Sequence, residues 1–181
     1  MSGKIAGHSV APLAIVVMGV SGSGKSTLGA ALAARLDCPF LEGDGFHSAA
    51  NVAKMREGIA LTDADRWPWL DHLGAAMGQA VRQGGVVVAA CSALKRAYRE
   101  RLATAAAEPI AFALLDAPLA ELARRMGNRP GHYMPPSLLD SQLDTLERPG
   151  ADEPALTLDS TQGQDRLADA ILAWIAQRLA A

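Results

Sequence analysis

The run Gly19-Val20-Ser21-Gly22-Ser23-Gly24-Lys25-Ser26-Thr27 limits the folds open to this chain more than any other stretch. Its first eight residues fit G-x-x-x-x-G-K-[ST] in full, and the flanks supply the context that pattern needs. Leu13 to Met18, LAIVVM, is a short aliphatic run rich in β-branched residues, as expected of a strand covered on both faces. Beyond the loop, Leu28, Leu32, Arg35 and Leu36 recur at helical spacing. The glycines let backbone N–H groups turn inward around a phosphate, and the helix N-terminus adds partial positive charge. Lys25 then bridges terminal phosphates, the Ser26 hydroxyl is a magnesium ligand, and Thr27 extends the helix start. The pattern predicts a nucleoside triphosphate site.

The strand-then-helix pattern repeats along the chain. PFLEG reads as a strand and SAANVAKMREG as a helix, and a long helix is expected from about Thr62 to Gln83, stopped by Gly84-Gly85. VVVAAC (Val86 to Cys91), IAFALLD (Ile110 to Asp116) and ALTLD (Ala155 to Asp159) are further strands. Helices are expected near Lys95 to Ala106, after Pro118, and at the C-terminus, where Leu167, Ile171, Trp174 and Ile175 share a face. Alternating strands and helices predict an α/β fold with a parallel sheet and helices on both faces. At 181 residues the chain suits a single domain, residues 1–181, with 1–11 as a loose N-terminal tail. GNRPGHYMPP (Gly127 to Pro136) interrupts the pattern, as either a surface loop or a mobile lid over about 127–137.

Bulk properties exclude several classes. The formal charge of −2 gives no whole-chain argument for nucleic acid or an anionic membrane. Cys38 and Cys91 have no metal-ligand spacing and lie in or beside apolar runs, as small buried hydrophobes in a reducing compartment. VAPLAIVVMGV is too short to span a bilayer and is not followed by a cleavage-like segment. A cytoplasmic location is expected.

Among phosphate-loop proteins, a GTPase would carry N-K-x-D and D-x-x-G motifs, and neither occurs. A motor or transporter ATPase usually ends its second catalytic strand in an acidic residue, whereas VVVAAC runs into Cys91 and Ser92. Magnesium duty then falls on Ser26, waters and the Glu42/Asp44 pair. Those carboxylates lie in EGDGFH (Glu42 to His47), at the end of the strand after the phosphate-loop helix. In parallel α/β sheets, ligands bind beyond the carboxyl ends of the strands. A carboxylate there can face the γ-phosphate and accept the proton of an attacking hydroxyl, and Asp44 is the candidate. An aspartate before glycine is equally a turn former, and His47 alone can be a helix-start or packing residue.

A longer constellation resembles the gluconokinases, small P-loop kinases that convert D-gluconate to 6-phosphogluconate with ATP. It comprises Gly43-Asp44, His47, NVAKMREGIALTDADRWPWL (Asn51 to Leu70), CSALKRAYRE (Cys91 to Glu100) and RPGHYMPPSLLDSQLDTLERP (Arg129 to Pro149). The resemblance covers Leu13 to about Glu153. It implies a five-stranded parallel sheet of order 2-3-1-4-5, a lid, ATP and Mg2+, and often a homodimer. Gly19 to Thr27 would be the ATP loop, with Lys25 on the phosphates and Ser26 on magnesium. Asp44 would hold or deprotonate the terminal hydroxyl, beside His47. Lys54 and Arg66 would be partners for gluconate's carboxylate, which a planar arginine fork suits. Lys95, Arg96 and Arg99 would line the same cleft, although without the resemblance Lys54, Arg96 and Arg99 read equally as solvated helix faces. Trp67-Pro68-Trp69 reads as packing of the long helix. Arg125 and Arg129 fall where the family has lid arginines that neutralise the transferring phosphoryl group, and His132 matches the histidine of the G-H-[FY] motif.

Two departures stand out. Glu42 replaces a frequent aspartate, and Pro130 follows the lid arginine. Beyond Pro154 the resemblance fades, leaving Asp159 and Ser160 as candidates for the adenine side. The competing readings are a kinase of shikimate or another sugar acid, and a nucleotide-dependent binding protein. CSALK stands where shikimate kinases carry a glycine-rich substrate loop, and the full catalytic set exceeds what a binding module needs.

Overall fold

The computed structural model describes the backbone of residues 4–5, 8–9, 11–127 and 136–180, and side chains over 11–125 and 139–178. Five strands form one parallel sheet: β1 (Leu13–Met18), β2 (Phe40–Glu42), β3 (Val86–Ala90), β4 (Ile110–Asp116) and β5 (Ala155–Asp159). Their spatial order is β2-β3-β1-β4-β5, as the resemblance implied. β1 pairs with β3 from Leu13↔Val86 to Val17↔Ala90, and with β4 from Ala14↔Ile110 to Met18↔Leu114. Within the N-terminal segment, Lys4–Ile5 pairs antiparallel with His8–Ser9 as a separate two-stranded sheet.

Seven helices complete the described residues: α1 (Lys25–Leu36), α2 (Ala49–Arg56), α3 (Asp63–Gly84), α4 (Arg96–Ala106), α5 (Leu119–Gly127), α6 (Pro136–Thr145) and α7 (Gln164–Ala180). Side chains alternate across the sheet, as strand geometry requires. Leu13, Ile15, Val17, Val86, Val88 and Leu115 face α1 and α7. Ala14, Val16, Met18, Val87, Phe112 and Leu114 face α3 and α4. Every residue of β1 is buried, which explains why its sequence is apolar throughout rather than alternating. The long α3 begins with a capping box, Thr62 and Asp65 exchanging side-chain and backbone hydrogen bonds, and Gly85 caps its end.

Because all five strands run the same way, their carboxyl ends share one edge of the sheet. Met18 leads there into the phosphate loop, Glu42 into a 3-10 turn over Gly43–Phe46, and Ala90 into Cys91 and Ser92. Gly43 lets that turn lie close to β3, since a Cβ here would sit 2.3 Å from the Ala90 carbonyl oxygen. Backbone on both sides leaves nothing flexible to yield. Gly43→Ala is therefore expected to lower the unfolding free energy by about 1–3 kcal/mol through overpacking, read as a reduced urea midpoint, with Asp44 displaced and turnover reduced in the folded fraction.

Candidate active site

Glycine backbone conformations shape the turn of the phosphate loop. Gly22 and Gly24 take left-handed φ values of 80° and 96°, and Gly24 serves as the N-cap of α1 without any side-chain cap. The first N–H groups of a twelve-residue helix therefore open into the loop, together with the helix's partial positive charge. Lys25 reaches back across the loop, its Nζ donating to the Val20 carbonyl at 2.9 Å. Ser26 and Thr27 are exposed at the helix start. Ser23 is buried, and its Oγ has no hydrogen-bond partner among the described residues. An orphaned hydroxyl among inward-turned amides fits a loop whose partner is a polyphosphate.

A cleft opens where the loop meets the 3-10 turn, and Lys25, Asp44, His47, Arg66 and Trp69 all line it. Donor-side lysine and acceptor-side carboxylate thus face one space. Trp69 anchors the turn, its indole N–H donating to the Gly43 carbonyl at 2.7 Å, so the packing role read for Trp67-Pro68-Trp69 also orients Asp44. His47 stacks on Trp69 with ring centroids 4.0 Å apart. Burial in that stack holds the His47 imidazole below its ordinary range; Asp44 opposes the shift and Arg66 reinforces it. Arg66 lines the cleft while donating to the Leu61 carbonyl and, at 3.2 Å, to the Tyr98 hydroxyl, with the Asp63 carboxylate 3.7 Å from its guanidinium.

Four other basic candidates are engaged elsewhere. Lys54 ties α2 to α3 through a 2.7 Å ion pair with Asp65 and does not line the cleft. Lys95 donates to both Asp63 carboxylate oxygens at 3.1 Å, beside Tyr98, which also donates to Asp63. Arg99 is only 2% exposed. It grips Glu153 through two bonds of 2.6 and 2.9 Å and donates to the carbonyls of Ala93, Leu94 and Glu147. The chain needs it to seal the loop after β3 against the segment before β5. Arg96 is likewise engaged by Glu100 and Asp152 at the surface. None of these four side chains, expected at the acceptor, lines the cleft in this structure. Their carboxylate partners lie 11 to 56 positions away, apart from the local Glu100, so spacing along the chain did not reveal them.

Arg125 stands against the phosphate loop. Its guanidinium donates to the Ser160 carbonyl at 2.7 Å and to the Ser23 carbonyl of the loop at 3.4 Å, and pairs with Glu121. There it borders a second cavity, walled by Leu28, Leu115 and Leu167 and closed by Ser23 and Ser160. An apolar slot beside the phosphate loop, with a planar cation on one side, suits a nucleobase. Of the two candidates for the adenine side, Ser160 lines this slot, while the Asp159 carboxylate is occupied by Thr161. Arg129 and His132 lie outside the described residues.

One wall of the acceptor cleft was missed in the sequence. Ser141, Gln142 and Thr145 of α6 line it, and Gln142 Oε1 accepts from the Ser21 N–H of the phosphate loop at 2.7 Å. The available signal was three polar residues sharing a helical face between the apolar Leu139, Leu143 and Leu146, which pack against Val20, Leu94 and Leu122.

Known proteins share this arrangement. The model of the AAA domain family matches residues 15–149. A gluconokinase of Gluconobacter oxydans (strain 621H) is 49% identical over 154 residues, covering 85% of this chain and 86% of that protein. The thermosensitive gluconokinase of Escherichia coli (strain K12) is 43% identical over 138 residues, covering 76% and 73%. The chain belongs to the gluconokinase family. The crystal structure of a gluconokinase from Sinorhizobium meliloti 1021 superposes with a TM-score of 0.83 at 45% identity, over 93% of this chain and 94% of that one. As a gluconokinase-family kinase the chain uses the phosphate loop for its nucleotide, with the slot on one side and the Asp44 cleft on the other. No described helix is long and apolar enough to cross a membrane.

Two measurements separate support from chemistry. Arg99→Met leaves Glu153 buried without its partner and is expected to cost about 3–5 kcal/mol of stability, seen in urea unfolding, while the acceptor KM of the folded enzyme is unchanged. His47 predicts a pH effect. Its folded-state pKa lies below the unfolded value, so the unfolded chain binds more protons between the two. Its contribution to stability is therefore present above about pH 6.5, the ordinary histidine value, and is lost as pH falls through the lowered one. Urea midpoints of the wild type should fall more steeply over that interval than those of His47→Gln.

Proposed function

We propose that this protein transfers the γ-phosphoryl group of magnesium-bound ATP to the 6-hydroxyl of D-gluconate, giving 6-phospho-D-gluconate and ADP in gluconate catabolism. The observation that carries this reading is the single cleft shared by Lys25, Asp44 and Arg66 in a chain of this family. A phosphate-binding cation, a proton acceptor and a carboxylate-binding fork face one space. The acceptor oxygen attacks the γ-phosphorus as the bond to the β-phosphate oxygen breaks, and the hydroxyl proton passes to Asp44. Lys25 and the N–H groups at the α1 N-terminus meet the charge on the phosphate oxygens. Arg66 holds the acceptor's carboxylate at the other end.

No cluster of His, Cys, Asp and Glu among the described residues could hold a metal ion by itself. The exposed Ser26 hydroxyl suits a Mg2+ that arrives on the nucleotide, and such an ion offsets charge on the β- and γ-phosphate oxygens. The family resemblance adds Arg129 over the transferring group, His132 in the acceptor motif, and a cytoplasmic homodimer. These parts of the reading rest on motif match alone.

A coupled ADP-release assay tests it, with magnesium-ATP and a panel of gluconate, other aldonates, shikimate and nucleoside monophosphates. Stimulation by gluconate alone is expected, and stimulation only by another member replaces the substrate. Asp44→Asn should lower kcat by about two orders of magnitude or more while leaving nucleotide affinity intact. Near-normal turnover in that variant removes Asp44 from the mechanism.

A further inference from the structure

Gln142 occupies the seam between the phosphate loop and the acceptor cleft. Its Oε1 accepts from the Ser21 backbone N–H at 2.7 Å, and because a backbone amide can only donate, the side-chain orientation is determined. The oxygen is committed to the loop. The Nε2 group has no hydrogen bond among the described residues, although the residue is half-buried and lines the cleft that also holds Lys25, Asp44 and Arg66.

The position is built rather than incidental. Leu139 is buried against Val20, Leu94 and Leu122, with Leu143 and Leu146 packed on the same cluster, so α6 has little freedom to shift. The chain after α6 is clamped in turn, since the Glu147 N–H donates to the Leu94 carbonyl at 2.9 Å and Glu153 holds Arg99. On the same face Ser141 and Thr145 also line the cleft. This wall is neutral and hydroxyl- or amide-bearing, opposite one that carries Asp44, Arg66 and His47.

We propose that Gln142 is an acceptor-specificity residue, its Nε2 donating to a chain hydroxyl of the polyol acid while its Oε1 keeps that contact in register with the phosphate loop. The assignment rests on the functional reading above. It explains how one side chain couples where the acceptor lies to where the phosphoryl group is held. A charged residue could not do both without placing its charge beside the phosphates.

The test compares gluconate with monodeoxy-gluconates lacking single hydroxyls between C2 and C5, on the full-length wild type, Gln142→Met and Gln142→Glu. In the wild type, one deoxy analogue should lose about tenfold or more in kcat/KM, because its absence leaves the Nε2 donor unpaired. In Gln142→Met, gluconate itself should lose a comparable factor, and that analogue should lose little more. Gln142→Glu retains an acceptor for Ser21 but has no donor. Its carboxylate lies beside the phosphates, so the nucleotide KM should rise as well; the diagnostic reading is the gluconate KM at saturating nucleotide, which should rise about tenfold. Independent, multiplying effects of the deletion and Gln142→Met would overturn the assignment, as would an unchanged gluconate KM in Gln142→Glu. Absence of gluconate turnover by the wild type would instead sink the functional reading, and the assignment with it.

Discussion

The open N-terminus of α1 is the constraint around which the rest of the molecule is arranged. A helix that starts on Gly24 leaves its first amides without side-chain partners, and such groups are tolerated only where an anion or water can meet them. Holding them at the edge of the sheet requires β1 to be immobile, and β1 is the central strand, paired on both sides and buried on both faces. The Ser23 hydroxyl, buried without a partner, is part of the same arrangement. Local cost is concentrated where the phosphate chain is received, and the aliphatic core on both faces offsets it.

A cluster of cations at this edge would repel itself, and the structure avoids that by assigning most of them to structural pairs. Arg99 is neutralised by Glu153, Lys95 by Asp63 and Lys54 by Asp65. Each of these pairs joins two elements that flank the cleft. Lys54 binds α2 to the start of α3, Lys95 binds the start of α4 to α3, and Arg99 binds the loop after β3 to the segment before β5. Lys25 and Arg66 are the described cations that face the cleft itself. Fixed walls of this kind supply positioning, the main requirement of phosphoryl transfer.

How much of this was legible follows from how local each signal is. The phosphate loop, the five strands and the 22-residue α3 with its cap are written in short windows, where period and punctuation suffice. Asp44 and His47 were legible because a strand end in a parallel sheet is a known address for ligands. The basic residues were not separable, since a cation's role depends on whether a carboxylate from another element reaches it. Glu153 lies 54 positions from Arg99, and nothing near either residue announces the pair. Arg125's contact with Ser160 was hidden for a similar reason, because Ser160 arrives from the end of β5. Gln142 was missed because a neutral amide carries no charge signal, and only the closeness of α6 to Ser21 gives it meaning.

The division between a charged wall and a neutral wall bears on how such a site discriminates. On the proposed reading, an Arg66 guanidinium would pair with any carboxylate of suitable reach, so the ionic contact would contribute affinity with little selectivity among sugar acids. Nor can Asp44 discriminate, because every primary hydroxyl offers it the same proton. Discrimination among polyol acids must come from groups that read the hydroxyls between those two ends. Neutral donors and acceptors held rigidly are suited to this, since an analogue that fails to match leaves them buried and unpaired. Ser141, Gln142 and Thr145 stand in that interval on a helix whose apolar face is locked to the phosphate loop's own neighbours, Val20 and Leu94. On the proposed reading, the helix that meets the acceptor is bonded through Gln142 to the loop that would hold the donor, so the fit of one end bears on the position of the other.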